Sequence, residues 1–173
     1  MEPGHLRSVQ APLKKKYRAE PASAVVTLSA RGEIGEGVTC KVDTGKALVT
    51  AGLHPATGGS GSAACSGDML LEALAACAGV TMGAVADAIG VVVERGEVVA
   101  EGDLDFRGTL GVSKEAPVGF REIRLRFLLE TSAGPEELES LLRLTERYCV
   151  VYQTLRGGAP LEVDCEVIEA PMW

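Results

Sequence analysis

Five cysteines and two histidines are the side chains in this 173-residue sequence best suited to covalent or metal chemistry. The cysteines are Cys40, Cys65, Cys77, Cys149 and Cys165. Their odd number and scattered spacing do not make a disulfide framework. There is no CxxC, no paired histidines and no HExxH, so the sequence predicts no zinc site. It also lacks GxSxG, a P-loop and a strand-linked GxGxxG; the glycines between Gly58 and Gly61 lack the Lys-Ser/Thr ending of a phosphate loop. His5 lies in a stretch with no clear period, and His54 precedes a proline in a loop, so both read as structural or idle. Seryl, metal and nucleotide chemistry therefore drop out and thiol chemistry remains. A cysteine among alanines and valines is ordinarily a small inert core residue with a raised pKa. It becomes a nucleophile only beside a cation or hydrogen-bond donors.

Two of the thiols sit in segments with strong local character. Cys77 lies near the middle of Ser66–Ile89, SGDMLLEALAACAGVTMGAVADAI, which predicts a long helix. Ser66 reads as its N-cap, Asp68 suits the positive end of the helix dipole, and Gly90 ends it. The stretch is apolar nearly all round, which predicts burial on most sides. It approaches the roughly 20 apolar residues of a bilayer span. However, its apolar content is largely Ala and Gly, and Glu72 interrupts it, so a core helix is expected and no membrane. Cys149 opens CVVYQTL, a short helical segment after the amphipathic helix expected over Glu136–Tyr148. That helix carries Leu138, Leu141, Leu142 and Thr145 on one side, and Pro135 suits its first turn.

The elements that position these segments follow from pattern. Residues 1–21 hold three prolines and Lys14-Lys15-Lys16 and read as an N-terminal arm, with 22–173 as a single domain. Strands are expected over Ala22–Ala30, Val38–Val42 and Ala47–Thr50, with a glycine-rich turn at Arg31–Gly37 and a hairpin turn at Asp43–Lys46. Gly52–Cys65 reads as a loop. After the central helix, β segments are expected over Val91–Val93, Glu97–Ala100 and Leu104–Leu110, the last two as one bent strand. Phe120–Thr131 alternates Ile123, Leu125 and Phe127 against Glu122, Arg124 and Arg126, as a half-buried strand does. Leu161–Ile168 is expected to close the chain as a strand. The fold class is α+β, a mostly antiparallel sheet with helices segregated from it. A net charge of −7 argues against nucleic-acid binding. The first twelve residues contain no apolar core segment, so the expected location is cytoplasmic. Cys40 and Cys165 are expected in strand cores, and Cys65 just before the helix.

The string Leu70-Leu71-Glu72-Ala73-Leu74-Ala75-Ala76-Cys77, followed later by Cys149-Val150-Val151-Tyr152-Gln153-Thr154-Leu155, resembles the OsmC/Ohr superfamily of osmotically inducible and organic hydroperoxide resistance proteins. The order of elements over residues 22–169 fits it too. The resemblance implies an intertwined homodimer with the long helices at its core and active sites at the subunit interface. It also implies thiol-dependent reduction of organic hydroperoxides. Cys77 would form a sulfenate, Cys149 would resolve it to a disulfide, and an external dithiol such as a lipoylated protein would reduce that disulfide; no cofactor is implied. Arg31 would support the thiolate. An apolar pocket would be lined by Leu70, Leu74, Thr81 or Met82, with Tyr148 and Tyr152 contributed by the other subunit.

The sequence departs from the peroxidase pattern twice. Ser66-Gly67 stands where those members carry Pro-Glu, whose glutamate pairs with the arginine, and Val150 stands where a proline usually follows the second cysteine. At about 100° per residue, Glu72 and Asp68 lie about 140° and 180° round the helix from Cys77 and do not replace that glutamate. The alternatives are a non-peroxidase member that binds a small molecule or senses redox state, and a structural dimer with inert thiols.

Overall fold

The computed structural model of the chain describes Ala19 and residues 31–34, 39–43, 48–111 and 113–167, with the backbone alone for 31–34 and 39–43. The expected arm, the strand over 22–30 and the hairpin turn at Asp43–Lys46 lie outside those residues, apart from Ala19 in the arm and Asp43, which ends a strand. The first described strands are β1 (Arg31–Ile34), β2 (Thr39–Asp43) and β3 (Leu48–Gly52), an antiparallel meander. Arg31 is therefore the first residue of a strand, opposite Asp43, and not part of a turn. A two-residue strand, β4 (Ala64–Cys65), adds in parallel to β3, giving the order β1-β2-β3-β4.

Between β3 and β4 the loop folds on itself. Pro55–Thr57 form one 3-10 turn, and the Ala56 N–H donates to His54 Nδ1 at 3.1 Å. The His54 ring stacks on Phe106 with centroids 5.0 Å apart. This histidine is thus a local cap and a packing surface.

The central helix, α1 (Ser66–Ile89), has the bounds its pattern predicts, but its N-cap is Cys65, with extended backbone, and not Ser66. Gly90 stops it at φ 78°, a left-handed conformation open to glycine, with its N–H bonded to Ala86 O. Next comes a hairpin of β5 (Arg95–Leu104) and β6 (Phe120–Glu130), antiparallel with an irregularity at Asp103/Leu104. Gly102 does not interrupt β5. A Cβ there would lie 2.6 Å from the Phe120 ring, so glycine lets that ring lie across the strand. The strand expected over Leu104–Leu110 gives way to a one-turn helix, α2 (Phe106–Thr109). The cause is local capping: Asp105 Oδ1 accepts the Arg107 N–H at 3.1 Å, and its carboxylate pairs with the Arg107 guanidinium. On the outer face of the hairpin, Glu101 and Asp103 pair with Arg126 and Arg124, and Arg95 with Glu130.

Two helices finish the described chain. In α3 (Pro135–Tyr148), proline occupies the first turn and the Glu137 carboxylate accepts the Gly134 N–H at 2.8 Å. Cys149 then bends the chain with extended backbone and caps α4 (Val150–Gly157), which Gly158 ends at φ 62°. The strand expected over Leu161–Ile168 does not form within the described residues: 158–167 carry no regular structure. Leu161 and Val163 are more than 90% exposed, and Cys165, expected in a core, is exposed too. An alternating segment becomes a strand only when an edge pairs with it, and no described edge does so.

The core is one stripe of α1 against α3. Met82, Val85, Ala86, Val91 and Leu141 are buried together, with Phe127, Leu129 and Leu144 packed around them. Leu74 and Ala78 extend the stripe toward the N-terminus of α1. The opposite face of α1 is not covered by the described residues. Ala73, Ala76, Val80, Gly83 and Asp87 are exposed at alternating three- and four-residue spacing, Val80 to 77%.

Two substitutions test this packing. Leu141 is fully buried, so Leu141→Ala should cost about 2–5 kcal/mol in a denaturant melt. Thr145, beside it, is 1% exposed, and its hydroxyl has no hydrogen-bond partner among the described residues. Thr145→Val replaces that hydroxyl with a methyl of the same shape and should be neutral or stabilising. A destabilisation matching that of Leu141→Ala would show that the hydroxyl is bonded.

Candidate functional site

The packing of α1 against the α3–α4 junction decides where the thiols go. Cys77 follows Leu74 by one helical turn and precedes Thr81 by another, at the margin of the buried stripe. Side chains in a helix lean toward its N-terminus, so Thr81 reaches back over Cys77. From the other side, Cys149 sits at the corner where α3 ends and α4 begins, 1% exposed. Its own N–H bonds to Thr145 O at 2.9 Å, closing α3, and its carbonyl accepts the Gln153 N–H, opening α4. The first two residues of α4, Val150 and Val151, have N–H groups with no partner inside the helix. These groups, the Thr81 hydroxyl and the Cys149 thiol are near enough to the Cys77 sulfur to favour its anion.

The two thiols are therefore neighbours, both free, and their environments push them apart electrostatically. Partial burial raises the Cys77 thiol. The Val151 N–H, the Cys149 and Thr81 side chains and the Val150 N–H together outweigh it and hold Cys77 below the ordinary cysteine value. Cys149 moves upward: burial raises it first, the Tyr152 and Val151 N–H groups lower it in part, and its contact with Cys77 raises it again. Of the two, Cys77 is therefore the thiol that ionises first and Cys149 the one that keeps its proton longer. The thiolate is the reactive form in substitution and oxidation, so the arrangement makes one ready nucleophile and one protonated neighbour.

Other expected site residues are dispersed. Leu74 and Tyr152 line a groove of about 790 Å³ between β6, α3 and α4, with Phe120, Leu125, Leu155 and Arg156 among its walls. Tyr148 belongs to a different hollow, of about 500 Å³, shared with Cys149 and Val150. Leu70 is half exposed and lines neither. Thr81 faces the sulfur, and Met82 is in the core. The backbone of Arg31 lies in β1, and its side chain lies outside the described residues, as does that of Cys40. Asp68 and Glu72 line a cleft against β5 with Glu97, and neither forms an ion pair among the described residues. No cluster of metal-binding side chains occurs among the described residues. The donors that sequence reasoning missed are backbone N–H groups, which residue type does not announce. The one signal was a non-proline residue at 150, directly after a cysteine that ends a helix.

This architecture defines an α+β protein with a long central helix and a paired-thiol site at the start of a second helical segment. The chain belongs to the OsmC-like protein family, whose model matches residues 59–164. Solved structures share the fold. An OsmC-like protein from Mycoplasma pneumoniae superposes with a TM-score of 0.66 at 17% identity, over 77% of this chain and 89% of that one. An organic hydroperoxide resistance protein OsmC from Legionella pneumophila gives 0.61 at 21% identity, over 78% and 92%. An organic hydroperoxide resistance protein from Elizabethkingia anophelis gives 0.61 at 18% identity, over 78% and 91%. No curated protein matches the sequence significantly. Two of these structural neighbours are named for organic hydroperoxide resistance. Within this fold α1, although long and apolar enough to cross a membrane, has one face packed against β5, α3 and α4.

The opposed shifts predict ordered labelling. With limiting iodoacetamide at neutral pH, peptide mapping should find Cys77 modified well before Cys149. Raising the pH toward the ordinary cysteine value should narrow the difference. Equal labelling of the two at pH 7 would contradict the assignment of the proton to Cys149.

Proposed function

We propose that this protein is a thiol peroxidase that reduces organic hydroperoxides. The supporting observation is the adjacency of two free thiols whose pKa values are driven in opposite directions. The Cys77 thiolate attacks the terminal peroxide oxygen, breaking the O–O bond. The sulfur takes that oxygen as a sulfenic acid, and the alkoxide leaves with a proton as the alcohol. Cys149, held as a thiol beside it, displaces water from the sulfenic acid and forms a disulfide. An external dithiol, of the lipoyl kind, then reduces the disulfide by exchange and is itself oxidised. Arg31 supports the thiolate in this scheme, and the groove past Leu74 and Tyr152 accepts the apolar part of the hydroperoxide.

The working unit we propose is a homodimer in the cytoplasm. The small-residue face of α1, Leu161 and Val163, and the edges of the β5–β6 hairpin, all uncovered among the described residues, support a second copy. A second reading, a redox-sensing or small-molecule-binding member, is favoured by one observation. Gly67 stands where a peroxidase glutamate would, and Asp68 and Glu72 face a separate cleft.

Thiol counting separates the two readings. Reduced protein treated with one equivalent of an organic hydroperoxide should lose two thiols rapidly. Cys77→Ser should abolish the loss, and Cys149→Ser should lose one thiol and stop at the sulfenic acid. Loss that needs a large excess of peroxide and many minutes would overturn the peroxidase and favour the sensor or binder.

A further inference from the structure

We propose that Gln153 is a positioning residue for Cys149: its side-chain amide caps the last turn of α3 and so holds the corner at which Cys149 meets Cys77. The inference rests on the reading of Cys149 as the thiol that resolves Cys77 and adds what keeps it in place.

The backbone ladder of α3 is interrupted at this corner. The Cys149 N–H bonds to Thr145 O at 2.9 Å, as a helix requires. The next bond of the ladder would run from the Val150 N–H to Glu146 O. It does not form, because Cys149 has φ −73° and ψ 109°, extended values that turn the following peptide out of the helix. Glu146 O is thus one of the carbonyls that a helix end leaves without a backbone donor. The Gln153 side chain supplies a donor instead: its Nε2 donates to Glu146 O at 2.7 Å. A carbonyl oxygen only accepts, so the NH2 end of the amide must face it.

Gln153 is fixed to the corner a second time. Its own N–H bonds to Cys149 O at 2.9 Å, the first bond of α4. One residue therefore ties the last turn of α3 to the first turn of α4 across Cys149. A longer contact runs beside it, from the Tyr152 hydroxyl to Glu146 Oε2 at 3.3 Å. Because α1 packs against both α3 and α4, the angle between those two helices decides where Cys149 lies relative to Cys77. Without the clamp, Glu146 O is free to recover the Val150 N–H. That would straighten α3 through Cys149 and draw α4 from its place along β6, where Tyr152 and Leu155 line the groove. Disulfide closure tolerates little of this, since two cysteines bond only with Cα atoms about 4.4–6.8 Å apart and Cβ vectors that converge. Gln153 is exposed and its amide has no thiol chemistry of its own, so its effect on the reaction runs through Cys149.

Two substitutions separate the donor from the rest of the side chain. Gln153→Met keeps the length and removes the amide. Gln153→Lys keeps an N–H donor at the end of a long chain. All three residues have similar helix propensity, so α4 itself is not weakened.

Diamide tests the clamp without peroxide. The Cys77 thiolate adds to its N=N bond, and Cys149 then displaces the hydrazine to form the disulfide, the hydrazine carrying away two electrons and two protons. Acid quenching and peptide mapping follow both steps, with the first measured alone in Cys149→Ser and circular dichroism confirming folding. In Gln153→Met the adduct should form at the wild-type rate and convert to the disulfide about threefold or more slowly, for the loss of one hydrogen bond. Gln153→Lys should restore the conversion. Hydrogen exchange of the backbone amides over residues 149–153 should rise in Gln153→Met and not in Gln153→Lys. Wild-type conversion in folded Gln153→Met overturns the proposal, as does a Gln153→Lys protein as slow as Gln153→Met, or an equal slowing of both steps. A wild-type protein that forms no Cys77–Cys149 disulfide with diamide overturns the proposal together with the resolving role of Cys149. One that forms it, with the expected differences among the variants, but does not turn over peroxide would refute the peroxidase reading alone.

Discussion

The meeting of α1 with the corner between α3 and α4 is the contact on which the site depends. Burial of Leu141 against Met82, Val85 and Ala86 holds α3 along the lower half of α1. That contact fixes where α3 ends, and the end of α3 fixes Cys149. The chain must then turn sharply, because Cys149 closes one helix with its N–H and opens the next with its carbonyl. A residue that ends one helix and caps another necessarily brings the unbonded N–H groups of the second helix close to itself. Cys77, on the adjacent stripe of α1, lies opposite those groups. The thiol pair and its donors are thus a consequence of one helix–helix contact.

Two forces oppose each other at Cys77. Burial removes water from the sulfur and favours the neutral thiol, which would leave an inert core cysteine. The donors favour the anion. They win because the sulfur is at the margin of the stripe, while Cys149, one layer deeper, is dominated by burial. Two identical side chains therefore end with opposite tendencies through a small difference in depth and in the number of donors each receives. A charge placed at that margin needs donors fixed before the charge develops. Backbone N–H groups of a helix start and a hydroxyl on the same helix are fixed by the fold itself.

Much of this fold was legible in the sequence because strong periodicity leaves few options. The run Ser66–Ile89 and the stop at Gly90 could be read directly, as could the alternation of Ile123, Leu125 and Phe127 and the start of α3 at Pro135. The failures share physical causes. Leu104–Leu110 reads as a strand by composition, but one carboxylate, Asp105, bonds the backbone two residues on and winds a helical turn. Leu161–Val167 alternates like a strand, yet pairing is a property of the neighbour, and no described element supplies one. Arg31 was assigned to a turn on the strength of nearby glycines, whereas the ladder with β2 extends it. For the site, the two cysteines were legible as residue types. Their proximity depends on tertiary packing, and the N–H donors of Val150 and Val151 belong to the backbone, which a reading of side-chain types passes over.

The uncovered face of α1 bears on how such a site is kept dry. Among the described residues nothing covers Ala73, Ala76, Val80 and Gly83, a run of mostly small apolar side chains over several turns of α1. Small residues contribute little burial each, but they allow another backbone to come close, and that approach compensates through many short contacts. A second helix laid along Ala73, Ala76, Val80 and Gly83 would pass beside Cys77, which lies one turn from both Ala73 and Val80, and would shield it from water. It would stiffen the helix without filling the groove past Leu74 and Tyr152. Cys77 and Thr81, at the border between that face and the buried stripe, keep a spacing that only a straight, continuous helix maintains against the start of α4.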